Sequence, residues 1–417
     1  MRLILVFVAF LQAGLLSSPG ADWPCWHGPD GLGVSKEKDL PEQWSKEQNI
    51  AWKVALPGKG ASSPIIMGNR VYVTSQTTDT GLHLIAVDRD KGELLWDKEI
   101  GRGKLSANNL HNMATPTPVS DGKTVWAMFG TGDLAALDSE GKILWQRNLV
   151  TEYGKYKFNH GYGSSPMLLD GRLFVVCMHQ GPSYFVAIDA KSGKNLWKKD
   201  RNLEPKDEAQ DSYSSPIFLR SGRSPQVVLA GAQSINAYDP KTGDELWIAS
   251  GMKVPHPYGR TIAGPAAGDG MVVNVASGFQ NRGYTVGFKA GGKGDITENH
   301  KAWTQSRYSA DCPTPVIYNG KLYSIRDDGN ASCLDLKTGE PYWQERLFSE
   351  NVKVSPVAAD GKVYFTSGQA NCYVVKASEK FSVISTNRLN ESTLSTPAIS
   401  ESRIFIRTDA NLYCVRK

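Results

Sequence analysis

Five segments of the 417-residue sequence place polar, aromatic and charged side chains just ahead of a proline that opens an apolar run. Arginine side chains favour anionic groups, and tyrosine rings offer flat apolar surface with a hydroxyl at one end. A ligand that carries a carboxylate, resembles a sugar or contains a peptide would suit such a set. The alternative is that these residues only solvate a surface. The candidate ligand-binding residues are His111, Asn159, His160, Tyr162, Asp211, Tyr213, Tyr258, Arg260, Arg307 and Asp311, and the same segments contain Asn109, His256 and Tyr308.

The sequence lacks the common catalytic motifs. It has no CxxCH haem motif, no HExxH zinc motif, no GxxxxGK[ST] phosphate loop, no GxSxG nucleophile turn and no paired CxxC zinc spacing. Cys25 and His27 could contribute metal ligands, but the flanking Trp23 and Trp26 favour an arm that is pinned to the outside of the domain. No metal site is therefore predicted.

The elements that must position the candidate residues are eight copies of one repeat. Each copy opens at a proline, and the spacing of roughly 40 to 54 residues is that of propeller blades. The clearest copy, residues 315–347, reads as four short strands separated by turns that contain Gly320, Gly329 and Gly339. One copy therefore predicts one four-stranded antiparallel sheet. The opening prolines are Pro64, Pro118, Pro166, Pro216, Pro265, Pro315, Pro356 and Pro397.

The two ends of the chain predict a closed ring. The last copy stops early, at Lys417, whereas residues 50–56 match a fourth strand. A strand that completes the last blade in this way removes the open sheet edges that invite aggregation. We therefore predict an all-β fold, an eight-bladed β-propeller of four-stranded antiparallel blades. Because turns alternate between the two ends of a blade, the candidate residues should gather in loops at one mouth of the central axis.

A recurrent motif closes most copies: AVDRDKGELLW from Ala86, AIDAKSGKNLW from Ala187, AYDPKTGDELW from Ala237 and CLDLKTGEPYW from Cys333. It resembles the tryptophan-docking motif of PQQ-like β-propeller repeats, and the resemblance covers residues 49–417. The aspartate can accept hydrogen bonds from turn amides, the glycine allows a positive φ, and the tryptophan fills the seam between blades. Copy seven lacks the tryptophan, so its seam is predicted to be the weakest.

The short turns between minimal blades resemble those of BamB-type accessory proteins of outer-membrane β-barrel assembly, which are non-enzymatic scaffolds. This resemblance implies a binding or scaffold module for a protein, a peptide or a small polar ligand at the axial mouth. The repeat is more distantly similar to quinoprotein alcohol dehydrogenases, which implies the alternative of a PQQ-dependent oxidoreductase with bound Ca²⁺. Those enzymes carry an adjacent cysteine pair over the cofactor, and no two cysteines are adjacent here. We therefore expect no cofactor and no catalytic residue.

The N-terminus predicts export. Residues 1–20 have the features of a signal peptide, followed by an extended arm over residues 21–48 and the propeller over residues 49–417. We expect a monomeric periplasmic or secreted protein without a membrane span. The net charge of +5 is spread along the chain and gives no support to nucleic-acid binding. The six cysteines leave two alternatives open, namely buried free thiols or a disulfide between Cys333 and Cys372 or between Cys25 and Cys312.

Overall fold

A computed structural model of the protein describes residues 22–105, 111–203, 205, 207–220, 224–278 and 283–417. The predicted signal peptide and Asn109 lie outside this part of the chain. Within it, no helix is both long and apolar enough to cross a membrane. Its helices are short, with α1 at Leu149–Tyr153, α2 at Thr297–His300, and 3₁₀ turns at Pro29–Gly31 and Asp207–Gln210.

The described strands form eight sheets, each built mainly from the four strands of one repeat, as the sequence predicts. Each sheet is one blade of a propeller, and blades are numbered in chain order. The first strands of neighbouring blades contact one another, so they surround the central axis and the fourth strands lie on the outside. The loops before the first strands therefore meet at one mouth of the axis.

Strand β1 (Ile50–Ala55) comes before blade one in the chain. Blade one comprises β2 (Ile65–Met67), β3 (Arg70–Gln76), β4 (Gly81–Asp88) and β5 (Leu94–Arg102). Blade two comprises β6 (Val119–Ser120), β7 (Thr124–Met128), β8 (Asp133–Asp138) and β9 (Ile143–Asn148). Blade three comprises β10 (Met167–Leu169), β11 (Arg172–Cys177), β12 (Tyr184–Asp189) and β13 (Asn195–Asp200). Blade four comprises β14 (Ile217–Leu219), β15 (Gln226–Gly231), β16 (Ser234–Tyr238) and β17 (Glu245–Ala249).

The remaining blades follow the same order. Blade five comprises β18 (Ala266–Gly268), β19 (Met271–Ala276), β20 (Tyr284–Lys289) and β22 (Lys301–Gln305), while β21 (Gly294–Asp295) pairs in parallel with β17 of blade four. Blade six comprises β23 (Val316–Tyr318), β24 (Lys321–Ile325), β25 (Asn330–Asp335) and β26 (Pro341–Arg346). Blade seven comprises β27 (Val357–Ala359), β28 (Lys362–Thr366), β29 (Asn371–Lys376) and β30 (Val383–Arg388). Blade eight contains β31 (Ala398–Ser400), β32 (Arg403–Arg407) and β33 (Asn411–Val415).

The N-terminal strand closes the ring, which confirms the predicted closure. β1 pairs antiparallel with β33 and becomes the fourth strand of blade eight. The indole N–H of Trp52 in β1 donates to the carbonyl of Arg89 in blade one, at 2.8 Å. The buried guanidinium of Arg407 in blade eight donates to the carbonyl oxygens of Ser62 and Thr74, which flank and belong to blade one. The last blade is thus tied to the first by both side chains.

The repeated spacing lets five closing tryptophans donate to the last turn of the next blade, whereas the Trp247 indole donates to Gln226 of its own blade. Trp145 in β9 donates its indole N–H to the carbonyl of Ala190 in the last turn of blade three, at 3.0 Å. Gly193 in that turn has a φ of 70° and lies against the indole, where a Cβ would come within 2.8 Å of the ring. Only glycine fits this contact without strain. The same donation joins Trp96 to Ser139, Trp197 to Pro240, Trp303 to Leu336 and Trp343 to Ser378.

The seam between blades seven and eight is filled by the N-terminal arm. Blade seven has Ser385 at the strand position where other blades have tryptophan. Trp44 of the arm is buried here: its backbone N–H donates to Asn387 at 2.8 Å, and its ring lies 6.5 Å from that of Tyr364. It shares a hydrophobic cluster with Phe405 of blade eight. The arm therefore supplies the aromatic side chain that the repeat lacks.

All six cysteines are free. Cys333 and Cys372, one of the pairs considered from the sequence, are buried in the neighbouring blades six and seven without a bond between them. Five of the six cysteines are buried, so the structure supports the alternative of buried free thiols for these five. Cys312 is the exception in position, because it is only partly buried and lies near the axial mouth.

Candidate functional site

The N-terminal arm lies across one end of the axis, which corrects the expectation that it is pinned to the outside of the ring. Trp23 pairs with Ile66 in the first strand of blade one through two backbone hydrogen bonds of 2.8 Å. Asp30 pairs with Arg220, which follows the first strand of blade four, at 2.7 Å. Blades one and four stand far apart around the ring, so a segment that joins their innermost strands must cross the axis. Burial of Trp23 there replaces the surface contact that the sequence suggested.

Cys25 and His27 use their polar atoms to fix the arm. The thiol of Cys25 donates to the carbonyl of Gly28 at 2.9 Å, and Nε2 of His27 donates to the carbonyl of Pro356 at 2.9 Å. Burial lowers the pKa of His27 to about 4, so the ring is neutral at physiological pH. These two residues act in packing the arm against the blades.

The residues directly before the opening prolines form a ring around the axis, which we call the hydroxyl ring. The backbone N–H of one ring residue donates to the hydroxyl oxygen of the ring residue in the next blade, at 2.8–3.3 Å. Gly264 interrupts the series, and Trp26 of the arm lies beside it, with Cη2 3.3 Å from the position a Cβ would take. Within the described chain, none of the ring hydroxyls donates its own hydrogen to a protein acceptor. The members are Ser63, Thr117, Ser165, Ser215, Gly264, Thr314, Ser355 and Thr396.

A cavity of about 280 Å³ lies on the axis and is lined by the hydroxyl ring, by Trp26 and by a second ring. The second ring, which we call the entrance ring, consists of the third residue before each opening proline. Alternate residues of an extended segment face the same side, so both rings face the axis. Lys353 is the only charged member of the entrance ring. Its members are Ala61, Thr115, Gly163, Tyr213, Ile262, Cys312, Lys353 and Leu394.

Four of the predicted residues line this cavity, namely His111, His160, Tyr213 and Arg260. Nδ1 of His111 shares a hydrogen bond of 2.9 Å with the hydroxyl of Thr115. Burial, with a smaller contribution from the nearby His160, lowers the pKa of His111 to about 4. His111 is therefore neutral at physiological pH and cannot add positive charge to the mouth.

Asp311 lies behind Arg260 rather than in the cavity. The Nε of Arg260 donates to Asp311 Oδ1 at 3.0 Å, and the Ser277 hydroxyl donates to the same carboxylate. Burial raises the pKa of Asp311, but the Arg260 guanidinium, the Ser277 hydroxyl and the Lys353 ammonium together outweigh burial and hold this pKa below its ordinary value. Asp311 is thus ionised at neutral pH and orients Arg260 toward the axis.

Lys353 and Asp327 form a second ion pair that the sequence interpretation missed. Lys353 Nζ donates to Asp327 Oδ2 at 3.1 Å, and both side chains are largely buried. Burial would lower the pKa of Lys353, but its acidic neighbours raise it above the ordinary value. Burial raises the pKa of Asp327 to about 6, even though Lys353 opposes this shift. Lys353 precedes an opening proline by three residues, as Tyr213 does, and that spacing is the signal that could have identified it.

Asp211 organises the loop that carries Asn159 and His160. Its Oδ2 accepts hydrogen bonds from the backbone N–H of Asn159 at 2.9 Å, from Gln180 at 3.3 Å and from the Tyr213 hydroxyl at 3.3 Å. Asp211 itself is fully buried. Its role in the structure is to position its neighbours, which are exposed or line the cavity.

Six of the ten predicted residues do not line the cavity, among them Tyr162, Tyr258 and Arg307. Tyr162 is buried beneath the mouth, where its hydroxyl donates to the carbonyl of Val176 at 2.9 Å and its ring stacks on Tyr156 at 5.3 Å. Tyr258 is 54% exposed, and Arg307 is exposed on the loop before blade six. The structure does not bring these three side chains together, and their part in binding stays a prediction.

Two ion pairs, Arg260–Asp311 and Lys353–Asp327, lie beside the thiol of Cys312 at the mouth. The ligating atoms of Asp311, Cys312 and Asp327 lie within 4.8 Å of one another. However, Arg260 and Lys353 already neutralise the two carboxylates. Burial raises the pKa of Cys312 to about 12, with a further contribution from Asp327, so it is a thiol at neutral pH. A cation at this position would compete with the Lys353 ammonium and the Arg260 guanidinium. The neutral thiol of Cys312 is a poor nucleophile.

The described residues of the mouth do not fit calcium-bound PQQ. Calcium takes about six to eight oxygen ligands, usually with several carboxylates. No acidic residue is among those that line the cavity. Asp211, Asp311 and Asp327 are each bound by protein donors. Cys312 is the only cysteine among the lining residues, so an adjacent cysteine pair is absent there.

Comparison with known proteins identifies relatives along most of the chain. The family model described as outer membrane protein assembly factor BamB matches residues 43–200, 155–345 and 327–416. The BamB protein of Shewanella oneidensis is 22% identical over 332 residues, which cover 75% of each chain. The BamB protein of Burkholderia pseudomallei is 24% identical over 281 residues, which cover 64% of this chain and 62% of the relative.

Solved structures share the fold at lower sequence identity. The crystal structure of BamB from Moraxella catarrhalis has a TM-score of 0.63 at 14% identity and covers 88% of this chain and 96% of its own. A europium-containing methanol dehydrogenase has a TM-score of 0.73 at 11% identity and covers 95% of this chain and 98% of its own. At this level of identity, both likenesses show the shared fold and nothing about function. The family match spans nearly all eight blades, and the chain therefore belongs to the BamB family of PQQ-like β-propellers.

Proposed function

We propose that this protein is a non-enzymatic periplasmic scaffold that binds a protein partner during the assembly of outer membrane proteins. The family match over residues 43–416 is the observation that carries the proposal. The site chemistry supports it, because the only cysteine in the cavity lining is a neutral thiol and His111 is held neutral by burial. A rigid ring with irregular loops at one mouth is a common arrangement for a binding surface.

We propose the loop face around the axial mouth as the partner surface. Tyr258 and Arg307 project from this face, and exposed tyrosine and arginine side chains are enriched where proteins bind one another. Asn159 and His160 are exposed on the loop before blade three, which Asp211 holds in place. The opposite face is occupied by the arm and by short, regular turns, which leaves the mouth as the more accessible end of the axis.

Deletion of the gene in its host bacterium is expected to reduce the amount of folded outer-membrane β-barrel protein. Heat-modifiable mobility in gel electrophoresis measures this quantity. Wild-type protein should restore assembly, whereas the Tyr258→Ala, Arg307→Glu double variant should restore at most about half, because hot-spot residues dominate interface energy. Lys123→Glu, in a turn at the opposite end of blade two, is the matched control and should restore assembly fully. Normal assembly in the deletion strain would contradict the scaffold proposal, and full restoration by the double variant would exclude these two residues.

The quinoprotein alternative rests on the fold likeness to methanol dehydrogenase. We expect no dye-linked alcohol oxidation after incubation with PQQ and Ca²⁺, because the carboxylates near the mouth are already paired. The measurement is dye reduction in the presence of ethanol, with a known quinoprotein as the positive control. Turnover that disappears in Asp311→Asn or Asp211→Asn would overturn the scaffold proposal in favour of the enzyme.

A further inference from the structure

The hydroxyl ring contains a set of hydrogen-bond donors without acceptors. Each serine or threonine of the ring accepts one backbone N–H, for example Ser355 from Thr314 at 3.0 Å and Thr396 from Ser355 at 3.3 Å. A hydroxyl that accepts in this way still has one hydrogen to donate. In the described chain these hydrogens have no protein acceptor, and all of the ring residues line the axial cavity. The cavity thus presents converging O–H donors to whatever occupies it.

The charged groups that face the cavity are cationic. Lys353 and Arg260 line it, whereas their carboxylate partners, Asp327 and Asp311, lie behind them and are not part of the lining. Lys353 uses one of its N–H groups for Asp327, and an ammonium group has three. The remaining donors of Lys353 add to those of the hydroxyl ring. An anionic group on the axis would therefore meet donors on several sides.

The remaining lining suits an apolar body. Trp26 closes the inner end, and Ile262 and Leu394 of the entrance ring face the axis beside Tyr213. A cavity of about 280 Å³ is at the small end of the range for ligand sites, so it admits a compact molecule or the end of a chain. The combination of an anion-binding wall with aromatic and aliphatic surface selects against small inorganic ions.

We propose that the axial cavity binds a carboxylate attached to an apolar or aromatic body, with Lys353 and the hydroxyl ring as the donors to the carboxylate. The inference rests on the proposed use of the mouth for binding, but it does not depend on the identity of the protein partner. Two sources have this chemistry, namely a free organic acid and the C-terminus of a polypeptide. Lys353 acts as a binding residue, and Asp327 acts as a positioning residue that restrains it.

Two substitutions give opposite expected effects. Lys353→Gln removes the cationic donor and should weaken benzoate binding by about tenfold or more, as expected for a charge-assisted hydrogen bond. Asp327→Asn frees Lys353 from its counter-charge and should strengthen benzoate binding by about threefold at pH 7.5. A purely structural role for the pair would weaken binding in both variants. The pair variant Lys353→Met, Asp327→Asn leaves no buried charge at this position and should lose binding while keeping the fold.

The affinity for benzoate is expected to rise as the pH falls. Asp327 is faced by Lys353, by Asp311 and by the neutral thiol of Cys312. Its pKa of about 6 means that it gains a proton as the pH falls from 7.5 to 5.5, and Lys353 then loses its counter-charge. Benzoate stays ionised over this range, since carboxyl groups have ordinary pKa values of about 4. The rise in affinity on acidification should be about threefold larger in the wild type than in Asp327→Asn, because every other group that lines the cavity is common to both proteins.

Isothermal calorimetry on the purified full chain tests the proposal with benzoate and its uncharged counterpart benzamide. We expect heat with benzoate and none with benzamide, and no change in the control Lys123→Gln. A hexapeptide that ends in phenylalanine, compared with its C-terminal amide, distinguishes the sources. Tighter binding of the peptide acid than of benzoate assigns the site to a chain terminus, and binding of benzoate alone assigns it to a free acid. Equal results for acids and amides, or weakening in both single variants, would overturn the proposal while leaving the assembly test unaffected.

Discussion

Replacing residues 50–56 by a glycine-serine linker of equal length is expected to lower the free energy of unfolding by about 5 kcal/mol or more. The linker removes the antiparallel ladder between β1 and β33 and the burial of Trp52. It also leaves the N–H groups and carbonyls of β33 exposed on a new sheet edge, which favours aggregation. Thermal and urea unfolding measure the loss, and light scattering measures the association.

Lys53→Ala is the matched control for this replacement. Lys53 lies in the same strand, but its side chain is exposed and pairs with Glu391 at 3.2 Å on the surface. Exposed ion pairs contribute about 1 kcal/mol or less, so the control should unfold close to the wild-type midpoint. An unchanged midpoint in the linker variant would mean that blade eight is stable without its fourth strand, for example because Arg407 alone holds the junction.

Trp44→Ala is expected to destabilise the protein as much as Trp197→Ala, by about 3 to 5 kcal/mol in each case. Trp197 docks blade three on blade four through its hydrogen bond to Pro240, and Trp44 fills the seam where blade seven has only Ser385. The sequence alone predicts blade seven as the weakest seam, because its tryptophan is missing. The position of the arm replaces this expectation with one of equal seams.

Hydrogen exchange tests the role of Trp44 in each blade separately. In the wild type, the inner strands of blades three and seven should be protected to a similar extent, and Trp44→Ala should open blades seven and eight selectively. Leu94→Ala is the matched control, because this side chain is 52% exposed at the outer edge of blade one. Weak protection of blade seven in the wild type would restore the original expectation and contradict the role given to Trp44.

The propeller was predictable because its repeat specifies each element many times. The opening proline, the turn glycine and the closing tryptophan recur in most copies, so a copy with an ambiguous pattern can be interpreted by comparison with the others. The arm has no such redundancy. Its aromatic residues Trp23, Trp26 and Trp44 carry no period, and nothing in a single sequence indicates whether they pack outside the ring or across its axis.

The site was predictable in part, for a related reason. Polar loops before the first strands led to His111, His160, Tyr213 and Arg260, which line the cavity. Lys353 was missed because its segment is short and regular, although its spacing from the next proline is that of Tyr213. Tyr162 was included for its residue type, but its hydroxyl is satisfied by Val176 in the interior. Side-chain direction in an extended segment, rather than polarity, decides which residues face the axis.

Gly264 helps to determine how the N-terminal arm is rotated about the axis of the propeller. A ring of eight similar blades offers the arm eight nearly equivalent settings around the axis, related by turns of one blade. The hydroxyl ring is continuous at every blade junction but that of Gly264, where the missing side chain leaves room for the Trp26 indole. The missing side chain thus adds one contact that favours this rotational setting, besides the contacts of Trp23 with blade one, of Asp30 with Arg220 and of Trp44 with the seam between blades seven and eight. In Gly264→Ser the added side chain would meet the Trp26 indole, and the arm would lose this one contact.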